Sequence, residues 1–257
     1  MQFIRSELAG AVRTITLNRP EVLNAINAAM HWELEEAFNA FAAAPDEQVC
    51  VITGEGRAFC AGSDLKAAVV EGQRDYPPHG YAGLIERFDC PKPFIALVNG
   101  IAMGGGFELA LACDIIVAAQ SAVFALPEPL VGAVALGGGL HRLARSVPIK
   151  QAMGMILASR RVGAEEGERL GFVTQAVPDA DLAAAGQRWC ADILRASPVS
   201  VRTSKELVRL GLAEPDVQVA MAAQPGWAAF QGWQASADAR EGPRAFAEKR
   251  APNWAGR

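Results

Sequence analysis

The chain has 257 residues and a mass of 27.2 kDa, is 51% hydrophobic and 20% charged, and carries a formal net charge of −4 with a pI near 5.5. It is long enough to bury a large core, which excludes disorder, a collagen-like chain and a disulfide-stapled secreted scaffold. An acidic chain has no global attraction for nucleic acid or an anionic membrane, and only a local basic patch could supply one. Gln2 to Leu8 and Ala11 to Leu17 read as two short strands joined at Ala9-Gly10, a hairpin signal. Met30, Leu34, Phe38 and Phe41 recur at helical spacing and predict an amphipathic helix. Gln48 to Thr53 is a β-branched strand ended by Gly54 and Gly56. Lys66 to Asp89 is polar and irregular, with room for two short helices or a mobile lid. A buried strand follows at Pro93–Val98, then the glycine-rich stretch Gly100–Gly106, then a helix from about Phe107. Ile115–Ala118 and Ala122–Phe124 are further short strands.

The pattern changes after about His141. Ile149–Ala158, Glu165–Leu170, Asp181–Ala196, Val199–Leu212, Pro215–Gln234 and Ala237–Lys249 read as helices, with one strand near Phe172–Val177 and a break expected at Pro225-Gly226. Strands alternating with helices, then helices alone, predict an α/β core with a helical appendage. A strand–strand–helix unit recurs without a clean sequence repeat. No low-complexity linker divides the chain.

Five cysteines stand at 50, 60, 90, 113 and 190, an odd number with no CxxC pair. Reduced thiols in a cytoplasmic protein are the simpler reading. The opening MQFIRSELAG has no apolar signal-peptide region, and no run of 18 apolar residues predicts a membrane span. Three histidines without HExxH give a zinc hydrolase little to build with, and no metal site is expected.

Three glycine clusters stand out: Gly54-Glu55-Gly56, Gly104-Gly105-Gly106 and Gly137-Gly138-Gly139. Each fits close strand–helix packing or an anion or oxyanion site at a helix start, where N–H groups are unpaired. Dinucleotide and P-loop fingerprints and a G-x-S-x-G elbow are all absent. Two carboxylates lie nearby. Glu108 enters an apolar helix just after Gly106, where an unpartnered charge is costly. Glu128 sits between Pro127 and Pro129, which fix its backbone. Carboxylates on rigid apolar segments fit general acid–base work, and a surface or capping role is the alternative for each.

Several motifs, in order and at the right spacing, resemble one family. They are Asn18-Arg19-Pro20 with Asn24-Ala25, Gly56 through Leu65, Asn99-Gly100 with Gly104 through Leu109, Phe124 through Glu128, and the tail Phe246 with Glu248-Lys249-Arg250. From about residue 3 to the end, the chain resembles the crotonase (enoyl-CoA hydratase/isomerase) superfamily, and within it enoyl-CoA hydratases and carnitinyl-CoA dehydratases. The resemblance implies an α/β fold: a crotonase-like ββα spiral core with the CoA and active site over residues 1–195, and a C-terminal helical trimerisation region over 196–257. It implies a homotrimer or dimer of trimers, with Trp227, Phe230 and Trp233 either at an interface or simply packed between helices.

The resemblance also implies hydration of 2-enoyl-CoA thioesters, or the reverse dehydration of 3-hydroxyacyl-CoA. The backbone N–H groups of Ser63 and Gly105 would bind the thioester oxygen. Glu108 would polarise the attacking water and Glu128 would supply the proton to C2. Positions matching the family's CoA contacts are Val22, Ala25, Ala61, Asp64, Leu65, Gly104, Phe246 and Lys249. Lys66 and Arg19 are candidate phosphate partners or solvated surface charges, and Asp64 could instead cap the following helix. CoA enters as part of the substrate, so no separate cofactor is expected. A carnitinyl-CoA dehydratase, double-bond isomerase, hydrolase or C–C lyase on the same fold, and a non-catalytic or RNA-binding member, are the alternatives; the acidic pI and lack of a basic stripe argue against RNA.

Three features depart from the family pattern or shape it. Gly132–Leu136 replaces the usual Ile-Pro-Gly segment, which alters the loop lining the acyl pocket. Ser63 stands where alanine is common, its hydroxyl a bystander or a contact to a polar acyl group. Residues 67–90 are expected to shape acyl specificity, with Tyr81, His79 and Phe88 as candidates, although His79 reads first as a surface loop residue. His141 is expected to cap or bond within the helical start Leu140–Leu143, and Cys60 and Cys113 to be packed small residues.

Overall fold

The computed structural model describes residues 1–71 and 75–256. Ten strands and eleven α-helices alternate along them. The order begins β1 (Ile4–Ala9), β2 (Val12–Leu17), α1 (Ala28–Ala43), β3 (Val49–Gly54), β4 (Ala58–Cys60) and α2 (Leu65–Glu71). It continues with β5 (Phe94–Val98), β6 (Ile101–Met103), α3 (Gly105–Ala112), β7 (Ile115–Ala119), β8 (Val123–Ala125), α4 (Gly139–Ser146) and α5 (Ile149–Leu157). Then come β9 (Val162–Gly163), α6 (Ala164–Leu170), β10 (Gln175–Val177), α7 (Leu182–Leu194), α8 (Pro198–Gly211), α9 (Val217–Ala223), α10 (Ala228–Ala235) and α11 (Ala237–Ala247).

The strands form two sheets. One has the order β1-β2-β3-β5-β7-β10 and the other β4-β6-β8-β9. Successive strands switch sheets: β3, β5 and β7 go to the first, β4, β6 and β8 to the second. This is a ββα spiral, each turn adding one strand to each layer. From β2 onward the larger sheet is parallel, and β3 and β5 are buried along nearly their whole length, as parallel strands covered on both faces must be. Edge strand β1 buries only Ile4.

The corners where the chain changes sheet are tight. Asn99, between β5 and β6, accepts from the Gly54 N–H at 3.1 Å and donates to the Gly56 carbonyl at 2.8 Å. Asn24, fully buried, accepts from the Arg19 N–H (2.9 Å) and donates to the carbonyls of Glu55 (3.0 Å) and Ala58 (2.8 Å). A Cβ on Gly54 would stand 2.7 Å from the Phe59 Cα, so the first glycine cluster takes the packing role. Two aromatic groups fill the interior: Phe38, Phe41 and Phe94 under α1, and Phe107, Phe124 and Phe172 around α3.

The chain separates into two compact units, residues 1–88 with 94–188, and residues 89–93 with 189–257. The second unit is helical. Ser197, Asp216 and Ser236 cap α8, α9 and α11 by accepting from N–H groups three residues on. Buried Asp238 accepts from the Ser197 hydroxyl at 2.7 Å and from the N–H groups of Ala255 and Gly256, which holds the tail in place. Trp227, Phe230 and Trp233 are half-buried. Among the described residues no helix is long and apolar enough to cross a membrane.

Secondary structure follows the sequence reading closely where periodicity runs for several residues. The strands β4, β6 and β9, of two or three residues, are too short to show a period, and they fall in stretches read as glycine-rich or unassigned. The segment read as short helices or a lid holds α2 and a tight turn at Tyr81–Gly83; its residues 72–74 lie outside the described residues.

Candidate active site

β4, β6 and β8 lie side by side and parallel in the smaller sheet. Just beyond their carboxyl ends stand Ser63, Gly105 and Glu128. The crevice outside the carboxyl ends of parallel strands is where open α/β sheets hold ligands. Strand order therefore gathers residues spread over 66 positions of sequence onto one edge.

Close backbone approach creates two free donors there. A Cβ on Gly62 would lie 2.8 Å from the Met103 carbonyl and 3.3 Å from the Gly105 nitrogen. The strand end carrying Ser63 thus rests directly on the start of α3. Gly62 N–H turns back to Cys60 Sγ, the Gly62 carbonyl accepts from Ile26 N–H, and Asp64 N–H donates to the Ile26 carbonyl. Ser63 N–H between them, and Gly105 N–H at the first helical position, have no protein acceptor among the described residues. Gly104, at φ +53°, makes the turn into α3, and any side chain on it would meet Glu128 Oε1 at 2.9 Å.

Both glutamates line this edge. Glu108 is 4% exposed, one turn into α3. The third glycine cluster cradles its carboxylate: Gly139 N–H donates to Oε1 at 2.9 Å, and a Cβ on Gly137 would stand 2.6 Å from Oε2. Burial pushes Glu108 up to about 7, helped by the negative charge of Glu128 and opposed by the N–H groups of Gly139 and Gly137 and the charge of Arg142. Glu128 is half-buried and also raised by burial, against the pull of its own backbone N–H. Its Oε2 is buried with no hydrogen-bond partner among the described residues. A buried carboxylate oxygen without a donor is costly in ionised form, which makes it a natural seat for a proton or a water contact.

Tyr81 closes the site from the turn before β5. It is 4% exposed, and its oxygen accepts from the Ser63 hydroxyl at 3.4 Å. A Cβ on Gly105 would overlap the Tyr81 hydroxyl and stand 2.7 Å from its Cε1, so glycine there leaves room for the ring. The turn is clamped to α1. His31 Nδ1 accepts from Ala82 N–H (2.9 Å), and Glu35 bonds His79 Nδ1 (2.7 Å) and accepts from Arg87 (3.2 Å). Arg87 also donates to the Gly83 carbonyl at 3.0 Å and to Asn39 Oδ1 at 2.8 Å. Burial holds His31 down at about 4, so it is neutral at working pH and its Nδ1 is a true acceptor. His79 is thus a half-buried partner of Glu35, not the surface residue expected, because a buried carboxylate pulled the loop inward. The signal for this clamp was present: His31, Glu35 and Asn39 recur at i, i+4, i+8 beside the apolar stripe of α1.

The remaining candidates divide by position. Val22, Ala25, Ala61, Asp64 and Leu65 are brought together by backbone bonds from Ala25 N–H to the Val22 carbonyl, Ala61 N–H to the Leu23 carbonyl, and Asp64 N–H to the Ile26 carbonyl. Asp64 does cap α2, accepting from Ala67 N–H at 3.1 Å. It also pairs with Arg19 at 3.0 Å, and Arg19 donates to the Ala25 carbonyl at 2.6 Å, so Arg19 is an internal strut and its guanidinium is engaged within the fold. Lys66 is exposed. Phe246, 87% exposed on α11, and Lys249, at φ +54° just past it, belong to the helical unit. Phe88 is exposed and lies under the Arg142 guanidinium, 5.8 Å from the ring centre. His141 is exposed, and among the described residues its side chain makes no cap: Gly138 is the N-cap of α4. In the Gly132–Leu136 loop, Val134 and Leu136 are exposed, as are Leu130 and Val131 just before it. All five cysteines are buried, and burial pushes Cys60 up to about 12, so it is a packed thiol and no nucleophile. No cluster of potential metal ligands occurs among the described residues.

Comparison with known proteins shows the family. The chain matches the family model for enoyl-CoA hydratase/isomerase over residues 7–257. It is 42% identical over 253 residues to a carnitinyl-CoA dehydratase of Salmonella typhi, covering 96% of each chain, and equally to one from Escherichia coli strain K12. An enoyl-CoA hydratase structure from Mycobacterium tuberculosis H37Rv superposes with a TM-score of 0.93 at 35% identity over 100% of both chains. One from Bacillus anthracis gives 0.89 at 32% identity, again over 100% of both. With a two-layer ββα spiral, a C-terminal set of helices and a match over nearly its whole length, the chain belongs to the enoyl-CoA hydratase/isomerase family of the crotonase fold.

Proposed function

We propose that the protein is a hydro-lyase that adds water to a 2-enoyl-CoA thioester, or removes it from a 3-hydroxyacyl-CoA. The observation that carries this reading is the pairing of two buried-side carboxylates with two unbonded backbone N–H groups on one sheet edge. The thioester carbonyl sits between Ser63 N–H and Gly105 N–H. As water attacks C3, electrons move onto that oxygen, and donors already aimed there stabilise the enolate; losing one such donor typically costs ~3–4 kcal/mol. The dipole of α3, whose first residue is Gly105, adds to the effect.

The surroundings of the two carboxylates support this division of roles. Two N–H groups face Glu108 and favour its anion, which takes the proton of the attacking water. Glu128, with Oε2 undonated, holds the proton that goes to C2. Net addition places OH on C3 and H on C2, and the proton collected by Glu108 returns to Glu128 before the next turnover. CoA lies along Val22, Ala25, Ala61, Asp64, Leu65 and Gly104. Phe246 and Lys249 complete a CoA site in a homotrimer or dimer of trimers, and exposed Val208, Leu212, Val217 and Met221 supply apolar surface for assembly. CoA needs no further cofactor.

The test is a panel of crotonyl-CoA, longer 2-enoyl-CoAs and crotonobetainyl-CoA, followed by loss of the conjugated thioester absorbance. Crotonobetainyl-CoA belongs in it because the 42%-identical relatives are carnitinyl-CoA dehydratases. Turnover that Glu108→Gln and Glu128→Gln each reduce by a factor of about 10²–10⁴ supports the two-carboxylate mechanism. Full-rate turnover in Glu128→Gln removes it and points to an isomerase or hydrolase.

A further inference from the structure

We infer that the Tyr81 hydroxyl is a third donor to the thioester oxygen, acting beside the N–H groups of Ser63 and Gly105; the inference rests on the reading of those two groups as the carbonyl's donors.

The geometry carries it as follows. The phenol oxygen would overlap a Cβ placed on Gly105. A Cβ stands about 2.5 Å from its own backbone nitrogen, so the Tyr81 oxygen lies within about 5 Å of the Gly105 nitrogen. The same oxygen is 3.4 Å from Ser63 Oγ. One phenol therefore touches both residues whose backbone donors are free, and an oxygen seated between those donors lies within its reach. Because the Ser63 hydroxyl donates to the phenol, the phenol proton has no acceptor among the described residues. Burial keeps it protonated, so its proton is available to donate to a ligand oxygen. Ser63 thereby gains a role for a hydroxyl that alanine would lack: it holds the phenol in register.

Rigidity supports the same conclusion. The turn bearing Tyr81 has left-handed φ at Gly80 (+74°), Ala82 (+55°) and Gly83 (+64°). Left-handed backbone at Ala82 persists only where surroundings impose it. Here the clamp of His31, Glu35 and Arg87 imposes it, and the His31 ring stacks edge-on against Tyr81 with centroids 4.6 Å apart. Preorganised donors of this kind need no rearrangement when charge develops.

The experiment uses an arylacryloyl-CoA with a 4-dimethylamino substituent, whose absorption moves to longer wavelength as its thioester carbonyl is polarised. The probe reads polarisation without turnover. Tyr81→Phe keeps the ring, and a smaller red shift on binding, with kcat for the best panel substrate down about tenfold to a hundredfold and KM little changed, is the expected result. The chain has only two tyrosines, so fluorotyrosine in a Tyr76→Phe background changes the Tyr81 phenol alone. A more acidic phenol at Tyr81 is expected to enlarge the red shift, a change that a packing role would not produce. If the wild type shifts the probe and Tyr81→Phe shifts it equally at unchanged kcat, the inference is overturned while the backbone donors stand. If bound probe shows no shift in the wild type, the donor reading and the inference fail together. Should Tyr81→Phe not fold, an unchanged shift with fluorotyrosine overturns the inference by itself.

Discussion

Glu108 lies where catalysis and stability oppose each other, and Glu108→Gln measures the conflict. Burial raises this carboxyl from 4.5 to about 7 in the folded state. Between those values the folded chain holds a proton that the unfolded chain has released. Stability contributed at this site is therefore full below the unfolded value and declines as pH rises through about 7. With ~1.4 kcal/mol per unit, Glu108 costs roughly 1 kcal/mol at pH 5.5, where folding must take up a proton, and roughly 3 kcal/mol at pH 8, where the buried group is ionised. Glutamine removes that cost, keeps an acceptor for the Gly139 N–H, and turns an amide toward the Gly137 N–H, which gives back about 1 kcal/mol. Expected, then, is a variant about as stable as wild type at pH 5.5 and roughly 2 kcal/mol more stable at pH 8, with activity almost abolished. Urea unfolding at the two pH values, at equal protein concentration, reads the difference. A variant-minus-wild-type gap that does not widen from pH 5.5 to pH 8 would falsify the assignment of Glu108 as a desolvated carboxylate.

Other outcomes follow from single contacts. Because the charge of Glu128 helps raise Glu108, Glu128→Gln is expected to move the acidic limb of the residual kcat/KM profile to lower pH; a limb that stays in place means that the carboxylates are not coupled. Gly105→Ala puts a Cβ into the Tyr81 ring and is expected to abolish turnover, with Tyr81→Ala in the same chain recovering thermal stability but not activity; wild-type rates in Gly105→Ala would remove Gly105 from the site. Asn24→Ala leaves the Arg19 N–H and the Glu55 carbonyl without this partner and the Ala58 carbonyl with Asn99 in its place, and should cost about 2–4 kcal/mol in chemical unfolding; a loss under 1 kcal/mol would show that the corner repacks or admits water. Phe246→Ala, on an exposed side chain, is expected to leave the melting temperature unchanged and to raise KM for CoA esters; an unchanged KM would take this residue out of the CoA site.

Much of this protein was legible in its sequence because the signals are local. Four apolar residues at helical spacing are enough to specify α1, and a β-branched run between glycines is enough for β3, since backbone sterics and side-chain period act within a few residues. Family motifs marked Ser63, Gly105, Glu108 and Glu128 as candidates, and prolines beside Glu128 announced a fixed backbone. What the sequence left open was every relation between distant segments. The glycine clusters each allowed packing or an anion site; only the tertiary structure made Gly54 a packing glycine and turned Gly137 and Gly139 into the cradle of Glu108, 29 and 31 positions away. Arg19 was equally a phosphate partner or a surface charge until Asp64 and the Ala25 carbonyl engaged it. His79 read as a loop residue because nothing nearby in the chain explains it; its partner Glu35 is 44 residues earlier. Tyr81 meets Ser63 for the same reason, across 18 positions and two different elements. Local chemistry selects the elements, but the direction of a buried side chain depends on what the sheet order and the clamp from α1 place opposite it, and that is decided only when the chain closes.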